Sequence, residues 1–365
     1  MRHQIFSGLK MGWFTAVVSL AAVATLIGYM WTDKSISFFS RPTEPFHFSP
    51  YLDLNLAVQT STPLTNTFFS ANTKASVQLP TSESLKGFTA LTLAFASGEC
   101  GKEHWGGLNA QTLAKANLAA LAQAKVGYMV STGGVDGMFT CSSRDGMATF
   151  IERYRSSHLL GFDFNIEAQQ TEAMIQNLVH QVGLAMEDNP SLRFSFTLAA
   201  IGVGDSNSLN RTGQWVMKAI EKEGLKNYYI NLMVMNYGKA DLGNCIVRDG
   251  QCDMTASAIR AVNNLSRKYH LPLRRIEVTP MIGINDETSN VFTLEDARKL
   301  ATFAKTYGLG GLHFWSLNRD TPCSGPSASV SATCNSLPAA RKLEFTEAFA
   351  WLAAPATESQ LPVKK

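Results

Sequence analysis

Leu159-Leu160-Gly161-Phe162-Asp163-Phe164-Asn165-Ile166-Glu167 is an apolar run whose polar residues recur at every second position towards its end. With the two-residue period of a β-strand, Asp163, Asn165 and Glu167 fall on one face and Phe162, Phe164 and Ile166 on the other. Alone, such alternation describes an ordinary half-solvated strand. In an inner strand of a closed sheet the polar face is shielded from bulk water. There, burial and a neighbouring like charge raise carboxyl pKa values towards the range a general acid needs. The rest of the chain decides which situation applies.

Comparable runs recur on both sides, at roughly 50–55, 88–96, 126–132, 192–199, 229–237, 275–284 and 311–317, making eight candidate strands with 159–167. Helical patterns lie between most of them, at 109–124, 147–156, 171–187, 209–223, 254–268 and 294–305, with a last one near 339–352. Stretches apolar on both faces, such as 229–235, suit strands covered by helices on one side and closed around a core on the other. Eight alternating units predict an α/β fold, a (β/α)₈ TIM barrel forming a single domain. The first crossover, 57–86, shows no strong helical period and reads as loop-rich.

Length and composition agree: 365 residues, 45% hydrophobic and 17% charged, are enough to bury a large core. A formal charge of +3 without a clustered Lys/Arg stripe argues against a nucleic-acid partner. Residues 11–31 carry no charged side chain and follow Arg2 and Lys10. That length and flank suit a transmembrane anchor, with a cleaved signal peptide as the alternative. Either places the bulk of the chain periplasmic or extracellular, membrane-anchored in the first case and secreted in the second. The expected organisation is a basic flank 1–10, anchor 11–31, linker 32–45, barrel domain 46–354 and tail 355–365. Cys100, Cys141, Cys245, Cys252, Cys323 and Cys334 suit an oxidising compartment. Short loops favour Cys245 with Cys252 and Cys323 with Cys334, leaving Cys100 with Cys141, although six cysteines permit fifteen pairings. No His-x-x-x-His or similar spacing indicates a metal site, and no cofactor is expected.

In barrels of this kind the reactive groups sit at the carboxyl ends of the strands. The residues there resemble those of the glycoside hydrolase family 18 chitinases, whose fourth strand carries Asp-x-x-Asp-x-Asp-x-Glu. Asp163 and Glu167 match the second Asp and the Glu; Leu160 stands in place of the first Asp, and Asn165 in place of the last. Residues 46–53, with Pro50-Tyr51, are similar to the first strand of bacterial members, and 91–105 to the second strand and its loop. Ser131-Thr132-Gly133-Gly134 resembles the family's Ser-x-Gly-Gly. Met233-Val234-Met235-Asn236-Tyr237-Gly238 resembles the sixth-strand motif that supplies a catalytic tyrosine, which assigns that role to Tyr237, with Asn236 where bacterial members often carry Asp. Residues 279–286 are similar to the seventh strand. The eighth is matched by Gly310-Gly311-Leu312-His313-Phe314-Trp315-Ser316, whose tryptophan forms the floor under the sugar. The similarity spans about 46–320, with its elements in order.

The resemblance implies an enzyme that hydrolyses β-1,4-linked N-acetylglucosamine polymers with retention, by a substrate-assisted route that needs no protein nucleophile. Glu167 would protonate the glycosidic oxygen while the sugar's 2-acetamido carbonyl attacks the anomeric carbon. Asp163, Asn165 and Tyr237 would stabilise the resulting cation, and Trp315 would pack under the pyranose ring. Met235, Asn236, Asp53, Trp105 and Ser131 would line the cleft, while His313, between apolar neighbours, reads as a packed core histidine. Asn165 still accepts a hydrogen bond but brings no charge, a loss of roughly 2 to 4 kcal/mol at the transition state. The protein is expected to be a monomer, and two other readings stay open: an endo-β-N-acetylglucosaminidase, and a sugar-binding protein weakened in catalysis by Asn165.

Overall fold

The computed structural model describes residues 46–56, 70–71, 77–78, 88–135, 137–167, 169–204, 208–325, 329–338 and 341–350. The chain divides into two units, Met1–Glu44 and Pro45–Lys365, and every described residue belongs to the second. The expected anchor, linker and C-terminal tail lie outside the described residues, among which no helix is long and apolar enough to cross a membrane.

Nine parallel strands form one sheet: β1 (His47–Phe48), β2 (Tyr51–Asp53), β3 (Ala90–Ala96), β4 (Gly127–Gly133), β5 (Leu159–Asn165), β6 (Arg193–Ala199), β7 (Tyr229–Met233), β8 (Ile276–Thr279) and β9 (Gly311–Leu312). Their order is β1-β9-β8-β7-β6-β5-β4-β3-β2, so the two ends belong to consecutive pieces of one run, split at Ser49-Pro50. Proline has no N–H to give a ladder, and the run changes neighbours there. The Tyr51 N–H donates to Phe314 O (3.1 Å), while Pro50 O accepts from the Thr92 N–H (2.9 Å). The result is a curled sheet of nine parallel strands carrying the expected α/β alternation of strand and helix.

Helices α1 (Ala110–Ala124), α2 (Arg144–Arg153), α3 (Glu172–Asp188), α4 (Arg211–Glu223), α5 (Met254–Tyr269), α6 (Leu294–Tyr307) and α7 (Glu344–Ala350) complete the frame. Side-chain caps set their starts: Asn109 Oδ1 accepts from Thr112 N, Asn210 Oδ1 from Gly213 N, and Thr293 with Asp296 forms a capping box. Ser143 caps α2 in the same way, so that helix begins before the apolar period at 147; its first turn, Arg144-Asp145, is polar and leaves no periodic signal. The last helix starts at Glu344, later than the expected 339, where Asp320 takes the Phe345 and Thr346 N–H groups.

The alternation in β5 divides as the period of two requires. Phe162 and Phe164 point out towards the helical layer, meeting Phe150 (centroids 5.0 Å) and Phe139 (6.1 Å). Asp163 points into the curl, where the filling is polar and hydrogen-bonded. Near the amino ends of the strands Arg193 donates through Nε to Glu277 Oε1 (2.9 Å), and His313 Nε2 stands 3.4 Å from Glu277 Oε2. Burial pushes the Glu277 carboxyl up, yet Arg193 and His313 outweigh it and hold the group well below the usual carboxylate range. Burial first, then His313 and Arg193, lower His47 to about 3.

The three disulfides are Cys100–Cys141, Cys245–Cys252 and Cys323–Cys334, the arrangement that short loops favour. They tie loops at the periphery of the sheet. Among the described residues, the long crossover shows only the antiparallel pair Ser70–Ala71 with Val77–Gln78.

Candidate active site

A cavity of about 240 Å³ opens where β2, β3, β5, β6, β7 and β8 end, because these strands stop pairing before their apolar runs do. Asn165 and Glu167 enter it from the end of β5, and Thr197 and Ala199 from β6. Met233, Met235 and Asn236 follow from β7, and Thr279, Met281 and Asp286 from β8. Tyr51, Phe95, Val135 and Trp315 close the remaining sides.

Asp163 lies one layer below this cavity, 2% exposed. Its Oδ2 accepts from Ser131 Oγ (2.6 Å) and Tyr51 Oη (2.9 Å), and its Oδ1 from Ser195 Oγ and Thr197 Oγ1 (both 2.7 Å). Burial pushes its pKa up and the four hydroxyls pull it back, leaving a net rise. Asn231 extends the network, donating to Tyr51 Oη (3.0 Å) and accepting from Thr279 Oγ1 (2.9 Å).

Asn165, 5% exposed, lines the cavity, and its Oδ1 has no hydrogen-bond partner among the described residues. A buried amide oxygen in that state favours an N–H or O–H donor supplied from the cavity. Gly133, at φ +83°, makes the position accessible: a Cβ there would stand 2.1 Å from the Asn165 carbonyl oxygen. Glu167 is half-buried at the cavity wall, two residues further along the same face.

The apolar side is built from rings and thioethers. Trp315 stacks on Phe95, with centroids 5.3 Å apart and planes 17° from parallel, and Tyr51 leans against both at 6.0 and 6.2 Å. Opposite polarity returns at Asn236, a non-glycine residue at φ 50°. Its Nδ2 donates to Asp286 Oδ2 (2.8 Å), and its Oδ1 accepts from Glu287 N (3.3 Å).

Several candidates sit elsewhere. Tyr237 is buried behind the cavity wall, its ring against Gly202 and its hydroxyl without a partner among the described residues; Met233, Met235 and Asn236 are what this segment presents to the cleft. The chain turns at Asn236, which breaks the alternation that would have carried residue 237 inward. Trp105, expected at the cleft, is a fully buried core residue: a tight hairpin, His104–Trp105 with Leu108–Asn109, folds the indole inward, where Nε1 donates to Tyr154 Oη (2.8 Å). Ser131 is beneath the cavity and serves Asp163. Asp53 organises the turn after β2, its Oδ1 accepting from Asn55 N (2.9 Å). His313 is the buried core residue expected, bonded through Nδ1 to Ser49 (3.0 Å). Among the described residues, no three His, Cys, Asp or Glu side chains gather to hold a metal.

Phe95, Tyr51 and Asp286 escaped the sequence reading as site residues. Phe95 ends the β3 run and Asp286 closes the quoted 279–286 segment, so strand-end position was an available signal for both. For Tyr51 there was none, since its role depends on reaching Asp163 across 112 residues of chain.

Comparisons with known proteins relate this α/β fold to chitinases. Endochitinase 11 of Metarhizium anisopliae is 26% identical over 227 residues, 56% of this chain and 42% of that one. A probable bifunctional chitinase/lysozyme of Escherichia coli (strain K12) is 26% identical over 255 residues, 64% and 27% of the two chains. This chain therefore spans less than half the length of either relative. Catalytic-site mutants of active domain 2 of the thermostable chitinase from Pyrococcus furiosus, complexed with chito-oligosaccharides, share the fold with a TM-score of 0.61 at 23% identity, over 85% of this chain and 96% of that one. No family model matches the chain. The likeness to chitinases read from the motifs is thus shared by these sequence relatives, and the Pyrococcus structure shares the fold.

Proposed function

We propose that this protein is a glycoside hydrolase that cleaves β-1,4-linked N-acetylglucosamine polymers, with Glu167 as the general acid, on a (β/α)₈ barrel. One observation carries the reading: Glu167, the partnerless buried oxygen of Asn165 and the flat face of Trp315 all open onto the same cavity at the strands' carboxyl ends. Chito-oligosaccharides, the ligands named for the Pyrococcus structures, offer what this cavity accepts. They bring an apolar pyranose face for Trp315, an amide N–H for Asn165 and a glycosidic oxygen for Glu167.

The step requires no protein nucleophile. Glu167 gives its proton to the glycosidic oxygen as the bond to the anomeric carbon breaks, and the substrate's acetamido oxygen forms the new bond to that carbon. Water, deprotonated by the Glu167 carboxylate, then opens the cyclic cation with retention. Asp163, one layer below the cavity, has its carboxyl oxygens already committed to four hydroxyls.

Purified protein incubated with chitohexaose, beside Glu167→Gln, tests this: the wild type should release shorter oligosaccharides and the variant none. Binding without product from the wild type would instead support a sugar-binding protein, the reading that neutral Asn165 favours. We further propose that the domain works outside the cytoplasmic membrane, tethered through 11–31 or released after cleavage there. The charge-free run and three disulfides support that placement.

A further inference from the structure

We infer that the amino-end face of the sheet is a docking surface for an anionic phospholipid bilayer, which leaves the cavity, at the opposite end of the strands, pointing away from the membrane. The inference draws on the tether proposed above and is independent of the glycan chemistry. Strands β7, β8 and β9 are neighbours, so the connections that feed them from α4, α5 and α6 lie side by side. The exposed Lys and Arg residues of those connections, and of the last turns of the three helices, are Lys222, Lys226, Arg267, Lys268, Arg274 and Lys305. They are scattered over 222–305 in the chain, so no basic run announces them. The acids in the same segments are Glu221 and Glu223, and Glu223 is engaged by Gln176 Nε2 and His180 Nδ1, both at 2.7 Å.

Basic residues in a helix's last turn commonly just answer the helix dipole. Two features separate this group. Lys226 and Arg274 lie beyond the helices, in the connections themselves, and Tyr307, 59% exposed at the end of α6, adds an aromatic ring with a polar tip, a side chain suited to the headgroup layer. The second feature is where the chain enters. Pro45 opens the folded unit, and His47 starts β1 at this same end of the sheet, its N–H donating to Gly310 O (3.0 Å) in the α6–β9 connection. The chain thus reaches the folded unit beside the basic connections. The expected linker 32–45 spans roughly 50 Å at full extension and about 20 Å as a relaxed coil, so a bilayer anchored at 11–31 lies within reach of this end. The cavity end has the opposite sign, since Glu167 and Asp286 line the opening, and an anionic surface repels them. Each Lys or Arg brought to such a surface strengthens attachment by about fivefold.

The test reconstitutes the full chain into vesicles of phosphatidylcholine alone, or of phosphatidylcholine and phosphatidylglycerol in equal parts. Brief treatment with acetic anhydride, followed by peptide mass spectrometry, gives the acetylation rate of each lysine. Lys226, Lys268 and Lys305 should react about fivefold more slowly in the mixed vesicles and regain their rate in high salt. Lys102 and Lys239, exposed on carboxyl-end loops, should react alike in both. Lys226→Glu combined with Arg274→Glu should remove the protection of Lys268 and Lys305, with circular dichroism and chitohexaose cleavage in detergent unchanged. Equal rates in the two vesicles overturn the inference, as does protection that the double variant retains. Protection by soluble heparin but not by mixed vesicles would mark a polyanion site and overturn it equally. An alkaline carbonate wash separates the tether from the docking face. Inserted chain without protection sinks this inference and keeps the anchor, whereas chain that was protected and is then stripped by the wash sinks the anchor and keeps the docking face.

Discussion

Phe95 lies flat beneath the indole of Trp315, at 5.3 Å between ring centroids, so this wall of the cavity is supported from a different strand end. Offset aromatic pairs contribute about 0.5 to 1.5 kcal/mol beyond the area they bury. Phe95→Ala should therefore weaken chito-oligosaccharide binding by roughly three- to tenfold, without touching the ligand-facing ring itself. Calorimetric titration checks it, and an unchanged Kd would show that Trp315 holds its position unaided.

Asn165→Asp restores a charge beside Glu167. A charge placed where positive charge develops is worth about a hundredfold in rate, so kcat on chitohexaose should rise by up to that factor while KM moves little. If the rate stays level or falls, Asp163 beneath already supplies the field.

Asp163→Ala leaves the hydroxyls of Ser131, Tyr51, Ser195 and Thr197 without their shared acceptor inside the curl. Stranded buried donors are expensive, and a loss of about 3 kcal/mol of stability is expected. Urea unfolding measures it. Asp163→Asn, which keeps one acceptor oxygen, should lose less.

Acid sensitivity should come from the cluster at the strands' amino ends. His47 is held at about 3 in the fold against 6.5 when unfolded, so between those values the unfolded chain binds a proton that the folded one refuses. Stability is therefore lost as pH falls from about 6.5 towards 3. Glu277, held low by Arg193 and His313, adds a second loss as pH drops through the ordinary carboxylate range near 4.5 and below. Thermal midpoints should be level from pH 8 to about 7 and fall from there to pH 4. Glu277→Gln should be less stable at pH 7 and show a flatter profile below pH 5; parallel curves would remove Glu277 from the account.

The Cys100–Cys141 bridge closes a loop of sequence separation 41. Chain-entropy arguments give such a loop about 4 kcal/mol, so Cys100→Ser with Cys141→Ser should lower the unfolding free energy by that order. The shorter Cys245–Cys252 and Cys323–Cys334 loops should each matter less.

Strand and helix positions were legible because periodicity is local. Phe162 and Phe164 turn outward onto Phe150 and Phe139, as a two-residue period demands, and Asp163 turns inward. The errors cluster where the period stops. Past Met233 the chain leaves the sheet and turns at Asn236, and from there alternation says nothing about direction; hence Tyr237 is behind the wall and Met235 in front of it. Trp105 departs from its expected place at the cleft for the same kind of reason, its hairpin being a two-strand device outside the main sheet.

The amino-acid sequence alone determined the order of strands and helices, the polar face of 159–167, the disulfide set favoured by loop length and the likeness to chitinases. Each is encoded in neighbours a few residues apart or in a motif. Tertiary structure alone decided which acid lines the cavity and which is sealed beneath it. Asp163 and Glu167 look equivalent on one strand face, but Asp163 is capped by hydroxyls from three other strands, whereas Glu167 lies past the last ladder hydrogen bond, where the wall of the cavity begins. Burial is a property of what packs around a residue, and those partners come from strands far away in the chain.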